Sequence, residues 1–348
     1  MRNFNYSNIE NFTWDTEIVK YISSIYNEKG KQELYLKTSP KELEKLIDIA
    51  KIQSTEKSNE IEGICTTNIR IKQLVQEKTT PKNRDEEEIA GYRDVLNIIH
   101  ESFDAIPLSK NYILQLHKIL YKHTNNDMGG KTKNVQNYIS AVYKNGKSEL
   151  IFTPLAPYET EEALTIICDE YNKAISNPKV EPLILIPTFI HDFLCIHPFL
   201  DGNGRMSRLL TTLLLYHNRF LVGKYISLEA KIADNKDQYY NSLRLSQEGW
   251  HEGQENKLPF IKYLLNTILD AYRNFEDRYE IVEDKESALK MVQKAVQLKI
   301  GKFTKQDIIE LCPSLSSSSV EKSLKEMVTA QEIMKVGNGR GTYYFALK

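Results

Sequence analysis

Cysteine is scarce in this sequence, and the few cysteines are scattered. Cys65, Cys168, Cys195 and Cys312 form no C-x-x-C pair, so neither a zinc ribbon nor a disulfide framework is indicated. No stretch approaches 18 apolar residues without a charge, and the first residues lack the apolar core of a signal peptide. We therefore expect a cytoplasmic protein without a membrane-spanning segment.

Net charge is also nearly absent. Lys and Arg number 46 against 47 Asp and Glu, which gives a formal net charge of −1. This balance argues against capture of nucleic acid or anionic membrane by bulk electrostatics, although it leaves room for a local basic face. The 41% of hydrophobic and 27% of charged residues are ordinary for a globular protein, and a length of 348 residues suggests two or three structural units.

Helical periodicity extends through most of the chain, because apolar residues recur three and four positions apart. The segments are 9–26, 40–61, 86–103, 109–123, 159–175, 183–196, 203–217, 236–247 and 259–279. One interval, 135–153, breaks the pattern. Its two apolar runs flank an Asn-Gly turn at 144–147, which is typical of a β-hairpin. The predicted fold class is mainly α.

The densest group of reactive residue types is the segment 197–208, which we call the signature. Gly202 and Gly204 allow a tight turn, and the apolar spacing that begins at Met206 predicts a helix starting near Asn203. The first N–H groups of a helix have no partner in the helix and lie at its positive dipole end. This turn, residues 202–204, is therefore a predicted anion site, and we call it the glycine turn.

Charged side chains around the glycine turn favour a polyphosphate. Arg205 and Arg208 are three residues apart and can reach the same side of the helix, each with a fork suited to phosphate oxygens. Asp201 is a hard oxygen ligand placed to hold the Mg²⁺ that accompanies a polyphosphate. Histidine side chains ordinarily titrate near neutrality, which makes His197 the candidate base for an attacking hydroxyl. Together these residue types indicate nucleotidyl or phosphoryl transfer.

The signature resembles that of the Fic family. The family pattern, His-Pro-Phe-x-Asp-Gly-Asn-Gly-Arg-x-x-Arg, is matched at every specified position. Most Fic proteins move AMP from ATP onto a hydroxyl side chain of a target protein, so the resemblance implies a Fic-type helical bundle with ATP as co-substrate. It also implies that His197 is the general base and that Asp201 is the Mg²⁺ ligand. The implied anion hole and triphosphate clamps are Gly202, Asn203, Gly204, Arg205 and Arg208.

A second motif lies upstream of the signature. Ser58 and Glu62 are four residues apart on one face of a predicted helix, and Gly63 is a typical C-terminal stop. A solvated helix end is the ordinary explanation of such residues. The pattern Ser/Thr-x-x-x-Glu-Gly nevertheless resembles the inhibitory motif of Fic proteins, whose glutamate pairs with the second arginine of the signature. The resemblance implies that Glu62 holds Arg208 and inhibits the site within the same chain.

The hairpin interval 135–153 also has a counterpart in the Fic family. There, a β-hairpin flap upstream of the signature aligns the target protein by strand addition. The resemblance implies that 135–153 is such a flap and docks the target; an ordinary surface hairpin is the alternative. One departure precedes it, since the family usually has an Arg where this chain has Lys131 and Lys133.

A segment after the signature resembles the adenine side of Fic proteins. Tyr239 and Tyr240 could stack on the base, and Gln247 could hydrogen-bond it. Packing into the core explains the two tyrosines equally well.

Three regions are predicted along the chain. They are an N-terminal helical region with the inhibitory helix (1–80), a Fic catalytic core (81–282) and a winged helix-turn-helix domain of two short helices and a hairpin (283–348). Residues 301–348 contain seven Lys/Arg and five Asp/Glu, a difference of +2, which weakly supports DNA contact. Docking of a protein or formation of a homodimer is the alternative.

The predicted function is an autoinhibited AMP-transferase. His197 removes a proton from a Ser, Thr or Tyr hydroxyl, which attacks the α-phosphate of ATP while Mg²⁺ leaves with pyrophosphate. In one alternative, Glu62 holds a water and the same site hydrolyses an AMP-modified target. In the other, a nucleotide-sensing Fic domain with a DNA-binding winged helix acts as a transcription regulator. The intact His197 argues against this, because a sensor does not need a base there.

Overall fold

The structure, a computed structural model, describes residues 2–11, 13–38, 40–142, 148–283, 287–299, 301–312 and 315–347. The chain divides into two compact units. Unit 1 comprises residues 1–26 and 50–271, and unit 2 comprises residues 27–49 and 272–348. The predicted domain boundaries at 80 and 282 stay a prediction. No helix in the described part of the chain is long and apolar enough to cross a membrane.

Helices dominate the chain up to residue 283. In order they are α1 (Thr16–Thr38), α2 (Pro40–Ile61), α3 (Asn68–Val75), α4 (Arg84–Ser102), α5 (Lys110–Leu120), α6 (Pro157–Ile175), α7 (Pro182–Ile196), α8 (Asn203–His217), α9 (Leu228–Asp234), α10 (Lys236–Gln247) and α11 (Leu258–Glu283). The predicted mainly α fold is confirmed. The sequence did not predict α3 and α9, because helices of eight and seven residues are too short to show a periodic apolar face.

Helix α1 also differs from its prediction. It begins at Thr16 and ends at Thr38, whereas the sequence indicated a partly helical segment at 9–26. Its second half has a packing partner, since Gln32 is buried and the Tyr35 ring centre lies 6.3 Å from that of Phe275. This packing extends the helix where apolar spacing alone did not.

Helices α7 and α8 hold the two ends of the signature. Every residue of α7 from 183 to 196 is buried, so the helix has no solvent face. Glu181 caps its start by accepting from the Leu183 N–H, and Pro182 occupies the first turn, where no N–H is needed. Helix α8 packs against α7 and α4. The signature is thus a short connection between two helices fixed in the core.

The interval 135–153 contains the predicted hairpin. Strands β1 (Ile139–Val142) and β2 (Ser148–Phe152) pair antiparallel, with Ile139 opposite Phe152 and a register irregularity after Ile139. The Asn-Gly turn at 144–147 lies outside the described residues. In the described sheet each of the two strands has one partner, so each has an unpaired edge.

Unit 2 ends in three helices and a small sheet. The elements are α12 (Ala288–Gln297), β3 (Lys302–Phe303), α13 (Lys305–Leu311), α14 (Ser317–Thr329), β4 (Ile333–Val336) and β5 (Tyr343–Ala346), and the strand order is β3-β5-β4. Ser316 caps α14 by accepting from the Ser319 N–H. The two predicted helices and the hairpin are accompanied by α12 and β3, which the sequence did not predict. The winged-helix assignment and contact with DNA or protein stay predictions.

Candidate active site

His197 follows the last residue of α7 in an unusual backbone conformation. Its φ of +51° and ψ of 63° are left-handed, which is uncommon for a residue other than glycine. Nδ1 lies 3.2 Å from the Leu194 carbonyl, which can only accept, so Nδ1 has the hydrogen and Nε2 has the lone pair. Burial lowers the pKa of His197 to about 4. The imidazole is therefore neutral at pH 7 and can accept a proton.

The glycine turn begins α8. Gly202 has a φ of +82°, and a Cβ there would lie 3.0 Å from the Tyr121 hydroxyl, so only glycine suits the position. The Asn203 amide accepts from the Phe199 N–H (2.9 Å) and donates to the Phe199 carbonyl (2.7 Å). Since this side chain is used to brace the loop, the groups left to bind an anion are the first backbone N–H groups of α8.

Phe199 anchors the loop from inside the core. It is fully buried, and its ring lies 3.6 Å from the His117 ring with a tilt of only 3°. The His117 Nδ1 accepts from the Gly130 N–H at 3.0 Å, so its Nε2 donates to the Asp201 carbonyl at 3.1 Å. The sequence did not single out His117, which lies in α5 without a motif around it.

Asp201 is the predicted Mg²⁺ ligand. Its side chain is 47% exposed, and one carboxylate oxygen accepts from the Gly202 N–H at 2.6 Å. No cluster of three or more His, Cys, Asp or Glu among the described residues could hold a metal. A single carboxylate from Asp201 would suit a largely hydrated Mg²⁺ that takes further oxygens from a bound polyphosphate. The metal assignment stays a prediction.

Arg205 is bound to the scaffold. One guanidinium nitrogen lies 2.8 Å from a Glu88 carboxylate oxygen, and the other donates to the Tyr121 hydroxyl at 2.7 Å. Both members of the ion pair are buried, and Glu88 also pairs with Arg84 at 2.9 Å. The predicted contact of Arg205 with phosphate stays a prediction. No sequence pattern distinguished Glu88 from its neighbours, because it lies in a run of four acidic residues at 85–88.

Arg208 is held from α2. Its Nε donates to the Ser58 hydroxyl at 2.8 Å, and a terminal nitrogen donates to the Ser58 carbonyl at 2.9 Å and to the Glu62 carboxylate at 2.7 Å. Gly63, with a φ of +80°, ends the helix. The structure therefore brings the predicted inhibitory residues to the second arginine of the signature, 146 residues later in the chain.

The Glu62 carboxylate also lies directly over the glycine turn. A Cβ added to Gly204 would overlap a Glu62 carboxylate oxygen. This oxygen is the same one that accepts from Arg208. The turn predicted to bind an anion is thus adjacent to an anion supplied by the chain itself.

The three predicted adenine-side residues lie in two places. Tyr239 is buried, and its hydroxyl interacts with Ser207 and Arg208, while the Tyr240 ring is 45% exposed and lies 5.3 Å from that of Tyr239. Gln247 lines a groove of about 580 Å³ together with β2 and Trp250. Tyr239 both packs in the core and borders the signature. Stacking on a base stays a prediction for both tyrosines.

Known proteins resemble this chain in the same region. The Fic/DOC family pattern matches residues 107–215, which contain the whole signature. A Fido domain-containing protein from Dictyostelium discoideum is 33% identical over 128 residues, which are 36% of this chain and 84% of that protein. The chain belongs to the Fic/DOC family.

Other Fic/DOC proteins match over longer stretches at lower identity. The protein adenylyltransferase fic-1 of Caenorhabditis briggsae is 26% identical over 184 residues, 52% of this chain but 32% of that protein. The match thus spans about a third of that relative. A crystal structure of a Fic family protein from Desulfovibrio desulfuricans superposes with a TM-score of 0.61 at 20% identity, covering 97% of both chains. At this identity the superposition shows the fold.

Proposed function

We propose that this protein is an autoinhibited AMP-transferase that moves AMP from ATP to a hydroxyl side chain of a target protein. The observation on which the proposal rests is a neutral imidazole whose Nε2 has the lone pair, a few residues before the glycine turn that begins α8. Membership of the Fic/DOC family supports the assignment, as do relatives named protein adenylyltransferases.

The proposed reaction begins with a proton transfer to His197. The target hydroxyl gives its proton to Nε2, and its oxygen attacks the α-phosphorus of ATP. The bond from that phosphorus to the bridging oxygen breaks, and pyrophosphate leaves. Backbone N–H groups at the start of α8 stabilise the charge on the phosphates. Asp201 would hold Mg²⁺, which neutralises phosphate charge when bound.

The inhibitory part of the proposal rests on competition for Arg208. A charge-assisted hydrogen bond to a carboxylate contributes about 1.5–3 kcal/mol, and a γ-phosphate would use the same guanidinium fork. While Glu62 is paired, ATP can bind through the glycine turn, but its phosphates are out of line for attack. The rate is then reduced more than the affinity. The Glu62 side chain is 32% exposed, so it can leave for solvent.

Target docking is assigned to the hairpin. An extended segment of the target would add to an unpaired edge of β1 or β2 by backbone hydrogen bonds, which aligns a hydroxyl with His197. Exposed Tyr138 and Leu150 on the hairpin supply apolar contact.

A second candidate reaction is hydrolysis of an AMP-modified target. The position of the Glu62 carboxylate over the glycine turn favours it, because a carboxylate there could orient a water toward the phosphorus. Loss of AMP from a modified target in the absence of ATP is the observation that would identify this reaction.

Intact-protein mass measurement tests the proposal. We expect a gain of one AMP unit after incubation of the Glu62→Gly chain with ATP and Mg²⁺, and CTP, GTP and UTP in parallel reveal the nucleotide preference. His197→Ala should retain ATP binding and lose transfer, since the phosphate contacts come from 202–208. Transfer at an undiminished rate in His197→Ala would assign the base to another group. If none of the four nucleotides produced a gain in mass, nucleotidyl transfer would be refuted.

A further inference from the structure

The backbone that surrounds His197 is held by a segment far away in sequence. Lys133 donates twice: its ammonium to the Ile196 carbonyl at 3.1 Å and its backbone N–H to the Pro198 carbonyl at 2.8 Å. These two carbonyls flank His197 on either side. One residue therefore holds the carbonyls of the residues before and after the candidate base.

Asn137 completes the arrangement. Its amide nitrogen donates to the His197 carbonyl at 3.4 Å and to the Phe199 carbonyl at 3.0 Å. Its amide oxygen accepts from the Lys133 ammonium at 2.9 Å, which orients the amide for both contacts. Lys133 and Asn137 together, which we call the clamp, bind the four consecutive carbonyls of residues 196–199.

Lys133 is in an environment that ordinarily excludes an ammonium group. The residue is 2% exposed, and no carboxylate in the described part of the chain pairs with it. Burial lowers the pKa of Lys133 to about 8. A buried cation without an acidic partner costs stability, so its presence calls for a compensating role.

The loop has a physical need for such a clamp. His197 has a left-handed backbone conformation, which is strained for a residue other than glycine. Such a conformation persists only where several surrounding contacts hold it in place. The last carbonyls of α7 also have no N–H partner within the helix and favour a positive charge. The Lys133 ammonium satisfies both conditions at Ile196.

We propose that Lys133, assisted by Asn137, is a positioning residue for AMP transfer: it fixes the carbonyls on both sides of His197 and so directs the imidazole toward the glycine turn. It does not contact the reacting atoms. The inference rests on the proposed function for its effect on rate, but the hold on the loop is a property of the fold alone.

The test compares stability with rate in the full chain. Lys133→Met keeps the apolar stem and removes the charge, so the Tm should stay the same or rise. In the Glu62→Gly background, kcat should fall about tenfold to hundredfold, because small misplacements of reacting groups have effects of this size, while the KM for ATP changes little. Lys133→Arg should recover part of the rate. Lys131→Met is the control, since that side chain is 61% exposed and pairs with Asp127.

A second measurement separates the clamp from the proposed reaction. Amide hydrogen exchange in peptides covering 196–204 should become faster in Lys133→Met and stay unchanged in Lys131→Met. Asn137→Asp, which replaces a donor with an acceptor facing two carbonyls, should give the same pattern if Lys133→Met does not fold. Unchanged exchange, or a fall in Tm that parallels the fall in kcat, would overturn the clamp. If Glu62→Gly transfers no AMP, the proposed function fails, and exchange alone still decides whether the clamp exists.

Discussion

The two arginines of the signature are held in opposite ways. Arg205 pairs with Glu88, and both side chains are almost completely buried. Arg208 is equally buried, but its acidic partner Glu62 is 32% exposed at the end of a helix. Sequence alone presents the two residues as equivalent phosphate clamps, because both project from the first turns of α8.

This difference separates a fixed contact from a reversible one. Glu88 cannot leave Arg205 without stranding a charge in the core, whereas Glu62 can exchange Arg208 for water or for a phosphate. We infer that the Glu88–Arg205 pair supports the turn and that the Glu62–Arg208 pair regulates it. Four substitutions or conditions test this distinction.

Breaking the buried pair should have the largest effect. Glu88→Gln leaves the Arg205 charge buried beside a neutral amide, and the free energy of unfolding should fall by about 3–5 kcal/mol. Urea denaturation followed by circular dichroism measures it. Glu87→Gln, one residue away and only partly buried, is the matched control. A loss below about 1 kcal/mol in Glu88→Gln would remove the distinction between the two sites.

Breaking the Glu62–Arg208 pair should mainly change activity. Glu62→Gln should increase AMP transfer at least about tenfold, equivalent to about 1.4 kcal/mol in the barrier, since one charge-assisted contact no longer competes for Arg208. The free energy of unfolding should fall by less than in Glu88→Gln, because Glu62 lies partly at the surface, where water can take the place of its carboxylate. Self-modification with labelled ATP is the assay. Glu60→Gln, whose partner Lys57 is on the helix surface, should leave the rate unaltered; activation by both would point to a loosened helix end.

The pH dependence of AMP transfer in Glu62→Gln tests whether His197 is the base. Because burial lowers the pKa of His197 to about 4, the neutral, active imidazole should persist as the pH falls and be lost only on passing through about 4. At pH 5.5 an imidazole with an ordinary pKa of about 6.5 would lose about tenfold in rate, and Glu62→Gln should lose almost none. Single-turnover rates from pH 4 to 8, with circular dichroism to verify folding, distinguish the two profiles.

The smallest effect on stability is expected from substitution of Arg84, the exposed partner of Glu88. Arg84 pairs with the same carboxylate at 2.9 Å, but its side chain is 72% exposed. Arg84→Gln should therefore change the free energy of unfolding by less than about 1 kcal/mol. A loss comparable to that of Glu88→Gln would show that the stabilising partner of Glu88 is Arg84 and not Arg205.

Local patterns predicted the helices and the hairpin well but not the partners of the signature. Helix α8 and the turn before it follow from apolar spacing and glycine, and α10 has the predicted bounds, Lys236–Gln247. Short helices such as α9 were not predicted, because a seven-residue segment is too short to show a periodic apolar face. The contacts of Glu88 and Tyr121 join residues more than 80 positions from Arg205, and no spacing rule reports such pairs.

Resemblance to the family predicted one such distant contact. The pairing of Glu62 with Arg208 came from the resemblance, since residue spacing alone could not connect α2 to α8. The clamp had only an indirect signal: Lys131 and Lys133 both lie in the segment before the hairpin where the family usually has an arginine. Its contacts with residues 196–199 are made through backbone carbonyls, which every residue type possesses, and so they leave no trace in the sequence.

Gly204 has a consequence for inhibitor chemistry. Because this residue lacks a side chain, the carboxylate of Glu62 rests against the α8 backbone and Arg208 at the same time. The carboxylate is equivalent to a bound acidic fragment whose position and hydrogen-bond partner are defined. Under the proposed autoinhibition, a small acid that takes this pose in a chain lacking Glu62 would inhibit AMP transfer from outside. The position of the Glu62 carboxylate thus defines a starting pharmacophore for compounds against this site.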